Sequence, residues 1–409
     1  MLIHKGLPLV RRDLTSVWYH AFPPPSWTRR TASVHILIDY RPALRQRSGA
    51  GEFIHRLALA LIEHLGPDAV TLFTSSWKDR LDRRPFPGVT VADRRIPVAL
   101  LNLLWHRLEW PPVERLTGRA CDVVHSPHPL LTPSRRAARV VTIHDLDFLE
   151  HPERTGREIR RDYPILARSH AARADRIVVP SGFTAREVAS RLEIPEDRIV
   201  RCPPGSPAWS RRPRWPDAGY VLFIGTLEPR KNLGGLISAY ERLVSRNPAI
   251  PPLVIAGRAT PAAQPILAAL RRAPLAGMVD YRGYVPDAER RALYEGAALV
   301  VIPSLTEGFG LPALEAMSLG VPIVAANRGA LPEIVGDAGL LVDPADTEAL
   351  AAAIEALATD RPRAEALAER GLRRARQFTW AACASAAIEA YGGAIEHRRA
   401  RAEAGASCA

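Results

Sequence analysis

Short runs of branched aliphatic residues alternate along this chain with longer stretches in which apolar positions return every three or four residues, the periods of buried strands and of the helices that cover them. The first run, Val34 to Asp39 (VHILID), is followed by helical spacing from Gly51 to Leu65. Further runs lie at AVTLFTS near Val70, CDVVHSP near Val123, RVVTIHD near Val141 and ADRIVVPS near Val178. A second series follows: GYVLFIG, PPLVIAG, MVDYRGYV, AALVVIPS, VPIVAAN and GLLVDP, with helical stretches at Leu233 to Arg246, Glu289 to Ala298 and Leu311 to Leu319. Strand and helix in alternation predict an α/β fold of doubly wound parallel sheets. Between the two series, residues 203–218 (PPGSPAWSRRPRWPDA) have no period and are crowded with Pro, Arg and Trp. The reading is therefore an N-terminal domain at 34–205, a linker at 206–218 and a C-terminal domain at 219–377, with an irregular extension at 1–33. Two open sheets joined in this way leave a cleft between their carboxyl ends, where α/β folds hold ligands.

Composition supports a soluble globular chain: 409 residues suit two domains of ordinary size, and 47% hydrophobic with 24% charged residues excludes a disordered or fibrous protein. Cys121, Cys202, Cys383 and Cys408 show no short paired spacing of the kind zinc sites or disulfide frameworks use. The first thirty residues carry arginines and a Pro23 to Pro25 triplet but no long apolar run, so no signal peptide is read there. No stretch reaches the roughly 18 apolar residues of a spanning helix. A cytoplasmic protein is expected, with membrane contact at most peripheral, at the inner face.

Charge is unevenly placed. Residues 1–215 hold 35 Lys and Arg against 22 Asp and Glu, whereas residues 216–409 hold 20 against 21. The whole excess of +12 thus lies in the first half. Either arginine is simply abundant there, or that half meets an anionic membrane surface or a phosphorylated acceptor. Nucleic acid is not expected, because aromatic residues do not interleave with the basic ones as stacking platforms.

Two segments carry chemistry. GTLEPRKN (Gly225 to Asn232) links a strand to a helix, so Arg230 and Lys231 occupy a loop at a sheet's carboxyl end, where two cations can neutralise a departing diphosphate. EGFGLPALE (Glu307 to Glu315) has Gly308 and Gly310 for close backbone approach and Pro312 for a first helical turn. Free amides at that helix start favour a phosphate. Glu307 before the helix and Glu315 one turn inside it can take hydroxyls of one ligand. In the first half, Gly49-Ala50-Gly51 forms a glycine turn between strand and helix, and His144 and Asp145 end the strand VVTIHDL. His125 and Ser126, ending the neighbouring strand, and Ser181 in VPSGFT are further cleft candidates on the acceptor side. No metal is expected on the donor, because the two cations of GTLEPRKN can themselves take the charge of a departing diphosphate.

GTLEPRKN together with EGFGLPALE resembles family 4 of the retaining glycosyltransferases, whose C-terminal domain carries an acidic pair separated by seven residues. DYRPALRQRSGAGEF, VTIHDL, VPSGFTAREV and YRGYVPD resemble other segments of that family in the same order. The resemblance implies the two-domain GT-B architecture and transfer of a hexose from a nucleotide diphosphate sugar to a glycan or lipid-linked acceptor, with no cofactor. It implies that Arg230 and Lys231 hold the diphosphate, Glu307 fixes sugar hydroxyls and Glu315 binds the ribose. Backbone at Phe309, Gly310 and Leu311 is to contact sugar and phosphate, backbone near Tyr284 and Val285 to hold the base, and Gly225, Gly257 and Arg258 to border the pocket. His144 resembles the family's cleft histidine near the reacting carbon. Residues 378–398 resemble the family's terminal helix, which crosses back onto the first domain, leaving 399–409 as a tail. Mannose from a guanosine donor and glucose from a uridine donor both stay open, as do two other readings: a sugar-nucleotide epimerase on the same architecture and a non-catalytic protein that binds anionic polymer or membrane.

Overall fold

The computed structural model describes residues 34–407 apart from 45, 46, 48, 155, 156 and 273. The extension at 1–33 and Cys408 lie outside the described residues. From Val34 onward the chain forms one compact unit containing two parallel sheets.

The first sheet begins with β1 (Ile36–Asp39), all four residues buried as a doubly covered strand requires. It continues through α1 (Ala50–Leu65), β2 (Val70–Ser75), β3 (Thr90–Arg94), α2 (Val98–Leu108), α3 (Val113–Thr117), β4 (Val123–Ser126), β5 (Ala138–Thr142), α4 (Asp147–Glu150), α5 (Arg157–Arg173), β6 (Arg176–Val179), α6 (Gly182–Leu192) and β7 (Ile199–Arg201). The strand order is β3-β2-β1-β4-β5-β6-β7, parallel throughout. The order reverses between β1 and β4, so loops leaving these neighbours diverge and open a crevice at their carboxyl ends.

The second sheet repeats the plan: β8 (Tyr220–Ile224), α7 (Leu233–Arg246), β9 (Leu253–Ala256), α8 (Gln264–Ala269), β10 (Val279–Gly283), α9 (Asp287–Glu295), β11 (Ala297–Ile302), α10 (Leu311–Leu319), β12 (Ile323–Ala326), α11 (Leu331–Val335), β13 (Leu340–Val342), α12 (Thr347–Thr359) and α13 (Arg361–Ala375). Its order, β10-β9-β8-β11-β12-β13, reverses between β8 and β11. Two apolar clusters sandwich this sheet. One is built on Phe223, Leu236, Tyr240 and Ile354, the other on Leu222, Val300, Leu314 and Ile334.

The last helix, α14 (Trp380–Ser407), packs on α1, β5 and β6, so the chain's end is returned to the first sheet. It runs to 407 rather than to 398, because RARAEA after His397 is rich in good helix formers that extend it. Ala382 N–H donates to Thr379 Oγ1 at 3.1 Å, so Thr379 caps its first turn. Helix α9 ends at Glu295, three residues before the expected limit; Gly296 stops it and Ala297 already pairs with Tyr220 in the sheet. Cys202 and Cys383, 181 positions apart, meet with their sulfurs at 3.1 Å where β7 ends and α14 begins, a neighbourhood no sequence spacing reveals.

Candidate active site

The loops leaving β8 and β11 lie side by side at the second sheet's reversal point, and Leu305 N–H donates to Arg230 O at 2.8 Å, which fixes one against the other. Pro229 starts a single tight turn that presents Arg230 and Lys231, and Asn232 ends it in the left-handed region at φ 56°. Asn232 then caps α7, its side-chain oxygen accepting from Gly235 N–H at 3.3 Å.

Glu307 is the hub. Lys231 Nζ forms an ion pair with its Oε1, Arg230 Nη1 lies 3.4 Å from its Oε2, and Ser304 Oγ donates to Oε1 at 3.2 Å. Burial pushes this carboxyl up, but Lys231 and then Arg230 outweigh burial and hold its pKa below the ordinary glutamate value, so it is ionised. Its backbone is equally constrained: Ala330 N–H donates to Glu307 O at 2.9 Å, and Gly329 packs so close that a Cβ would lie 2.7 Å from Glu307 N.

Behind Glu307 the chain turns through Gly308, Phe309 and Gly310, the last at φ 108°, into the first turn of α10. Phe309 turns its ring inward onto Phe378, leaving backbone at the cleft. Glu315 is buried one turn inside, where Tyr294 OH donates to Oε2 at 2.7 Å and Arg290 Nη2 lies 3.2 Å from Oε1. Burial raises its pKa in spite of Arg290. The floor is backbone: Gly257 N–H donates to Gly283 O at 2.6 Å, and a Cβ on Gly257 would sit 1.8 Å from Gly225 O. These strand ends therefore approach so closely only because Gly257 lacks a side chain. Tyr284 and Val285 follow at the rim. Arg258 is exposed; its carbonyl accepts from Leu227 N–H, and its guanidinium is not part of the ion-pair group.

The first domain closes directly onto this turn. Ser181 Oγ donates to Gly308 O at 2.7 Å and Thr184 Oγ1 to the same oxygen at 3.1 Å. Glu333 spans the cleft to accept from Gly182 N–H at 2.9 Å and Phe183 N–H at 3.1 Å, at the positive end of α6. Asp145 Oδ2 lies 4.0 Å from Arg230 Nη1. Arg290 also reaches Glu52 of α1, at 3.6 Å. Gly49 starts α1 at φ 50° with open space around its Cα, and Gly51 stacks on Pro42 O, where a Cβ would be 2.8 Å away. His144 packs edge-on against Phe53, and its buried Nε2 makes no hydrogen bond among the described residues. Burial lowers its pKa to about 4, so the ring is neutral.

His125 and Ser126 do not join this group. His125 Nδ1 bonds Tyr391 OH at 2.8 Å and Nε2 bonds Thr142 Oγ1 at 2.7 Å, which spends both nitrogens on tying α14 to the first sheet. Ser126 Oγ is spent on Thr132. Ser181, likewise, acts through cap and cleft contacts rather than as a free hydroxyl.

Instead, the first sheet's reversal point gathers residues that spacing alone does not flag. Asp39 ends β1, gripped by Arg41 through Nε at 2.8 Å and Nη2 at 2.5 Å, with His128 Nε2 at 3.4 Å. Arg41 also bonds Asn102 at 2.7 Å. Burial opposes ionisation of Asp39, yet Arg41 and His128 keep its pKa far below the usual range. Arg41, Asn102, His106, His128 and Tyr163 line a cavity of about 170 Å³. Asp39 and Arg41 stand in the DYRPALRQRSGAGEF segment, so the signal was present in the strand-end carboxylate. Among the described residues, no three His, Cys, Asp or Glu side chains converge as metal ligands.

The buried imidazoles make the fold acid-sensitive. Burial lowers the pKa of His125 to about 3 and of His106 and His170 to about 4. Each folded value lies below the unfolded value of about 6.5, so the stabilisation is complete above pH 6.5 and is lost as pH falls from there toward 4. For a ring as buried as His125 the loss is about 1.4 kcal/mol per pH unit. The melting temperature is expected to be level from pH 7 to 8 and to fall by at least about 5 °C between pH 6.5 and 5. A flat profile down to pH 5 would show that these rings titrate normally.

Comparison with known proteins places this geometry. Residues 207–374 match the family described as glycosyl transferases group 1, and residues 47–207 match glycosyltransferase family 4. The chain is 37% identical over 283 residues to the O-antigen chain mannosyltransferase B of Escherichia coli, covering 66% of this chain and 74% of that protein. It is 32% identical over 319 residues to a D-inositol 3-phosphate glycosyltransferase of Nocardia farcinica, covering 70% and 69%. Among solved structures, a sucrose-phosphate synthase from Thermosynechococcus elongatus superposes with a TM-score of 0.68 at 21% identity, over 86% of this chain and 96% of that one.

Proposed function

Since the chain belongs to the family 4, group 1 glycosyltransferases and is a hexosyltransferase of GT-B architecture, we propose that it moves mannose from a guanosine diphosphate donor to a lipid-linked glycan, with retention at the sugar carbon and without a metal. The observation that carries the reading is the Arg230, Lys231 and Glu307 cluster beside the start of α10. With donor present, the diphosphate takes the cations and the free amides of Phe309 to Leu311, and Glu307 turns its oxygens to sugar hydroxyls. Glu315 receives the ribose, exchanging Arg290 for it. As the bond from the sugar carbon to phosphate oxygen breaks, the two cations stabilise the charge that develops. The acceptor hydroxyl attacks from the same face and gives its proton to the departing phosphate oxygen. Neutral His144 offers Nε2 to the sugar beside the reacting carbon.

The cavity lined by Arg41 and His128 suits the acceptor, because it lies at the carboxyl edge of the first sheet. Its walls, α2 and α5, are joined where Arg107 and Arg161 both pair with Asp162. The same two helices expose Leu100, Leu103, Leu108 and Ile165, with Trp110 just beyond α2. Apolar side chains interspersed with arginines at the cavity's edge suit the surface of an anionic membrane, from which a lipid-linked glycan would reach the pocket. Mannose is favoured over glucose by the similarity to the O-antigen mannosyltransferase.

The test is release of nucleoside diphosphate from a panel of GDP- and UDP-sugars, in chelator, with a mixed lipid-glycan extract. Release from GDP-mannose that needs the extract and falls at least 100-fold in Glu307→Ala supports the reading. Release from a uridine donor instead replaces mannose; isomerised donor without acceptor points to the epimerase.

A further inference from the structure

At the amino edge of the second sheet, opposite the cleft, the interdomain segment builds another cationic site. Arg212 is only 5% exposed. Its N–H donates to Leu319 O at 3.1 Å, and its Nη1 donates to Ala297 O, at the start of β11, at 2.7 Å. Its buried Nη2 makes no hydrogen bond among the described residues. The guanidinium stacks 3.9 Å from the ring centre of Trp215, and Arg361, first residue of α13, stacks on the same ring at 3.9 Å. These three residues, with Arg211, Arg214 and Glu365, line a cavity of about 190 Å³, the larger of the two described.

The charges around it are incompletely answered. Glu365 accepts from Arg361 Nε at 2.6 Å, Glu369 pairs with Arg211 at 2.6 Å, and Asp217 lies 3.7 Å from Arg214. Arg212, the most buried, has no carboxylate within ion-pair distance among the described residues. Burying a guanidinium with an idle donor among like charges costs stability, and apolar residues of similar volume would avoid that cost. An oxyanion in the cavity removes it, since guanidinium groups fit phosphate with paired hydrogen bonds. Trp215 holds two of them stacked in advance.

We infer that the Arg211, Arg212, Arg214, Trp215 and Arg361 cavity binds a phosphate-type oxyanion at a site separate from the donor cleft. Two sources share that chemistry: a free phosphate compound, and the headgroup of an anionic lipid. Arg214 and Arg361 are at least half exposed and lie outside the donor machinery, so the double substitution Arg214→Gln, Arg361→Gln tests the site without loss of fold or donor turnover.

The full chain, wild type and double variant, is titrated with inorganic pyrophosphate by calorimetry with UDP and GDP both present to fill the cleft. Each is also sedimented with phosphatidylglycerol vesicles and with phosphatidylcholine vesicles. A Kd for pyrophosphate at least tenfold weaker in the variant supports a free phosphate compound as occupant. Partition into phosphatidylglycerol vesicles at least tenfold lower in the variant, with no binding to phosphatidylcholine by either, supports the lipid headgroup. If neither quantity differs between the two proteins, the inference is overturned. The readout compares one surface in two proteins, so it stands or falls apart from the identity of the donor.

Discussion

Replacing Lys231 with alanine is expected to lower kcat/KM for donor turnover by about 100- to 1000-fold, the usual effect of removing one preorganised charge that meets a developing anion. In the absence of donor, Lys231 and Arg230 share Glu307, and the variant keeps Arg230 at 3.4 Å from that carboxylate. The carboxylate therefore stays paired, and a melting temperature within a few degrees of wild type is expected. A purely structural ion pair predicts the opposite pattern, loss of stability with turnover retained. The discriminating measurement is the kinetic split. A cation that stabilises the leaving diphosphate lowers kcat, whereas one that only docks the donor raises KM. Turnover within threefold of wild type would remove Lys231 from the mechanism.

Most of the architecture was legible because buried parallel strands are written as continuous apolar runs, and Ile36 to Asp39, Leu253 to Ala256 and Ile323 to Ala326 are buried at every position. Two strands were not anticipated, and both are at sheet edges. Strand β3 (TVADR) has a single buried residue, and β7 (IVR) has none, so neither carries the pattern that marks a buried strand. The donor-side residues were legible for a different reason: two cations, two glycines and two carboxylates stand in two short segments. What sequence could not supply is pairing at a distance. Arg290 reaching Glu315 and Cys202 meeting Cys383 depend on packing within a domain, and Arg290 reaching Glu52 and Glu333 reaching α6 on how the two sheets face each other. His125 misled because a histidine at a strand's carboxyl end looks the same whether it faces the cleft or, as here, turns to Tyr391.

The cleft's closure rests on a single missing side chain, and Gly308→Ala is expected to lower kcat/KM for transfer by at least about 100-fold. A Cβ at position 308 would lie 1.8 Å from His144 O and 3.2 Å from Asp145 Cβ, distances that backbone atoms cannot accommodate without separation of the two domains. That separation would break the bonds from Ser181 and Thr184 to Gly308 O and draw His144 away from the Glu307 cluster. The variant keeps every donor-side charge, so nucleotide affinity should change little while transfer collapses, because a displacement near 1 Å already costs about that much in rate. Small-angle scattering should show the variant more extended than wild type. Glycine at 308 also serves the turn into α10, so Ser181→Ala is the companion substitution. It removes one bond across the cleft without adding an atom, and should cost far less. If Gly308→Ala transfers sugar at the wild-type rate, the contact between Gly308 and His144 plays no part in the catalytic state.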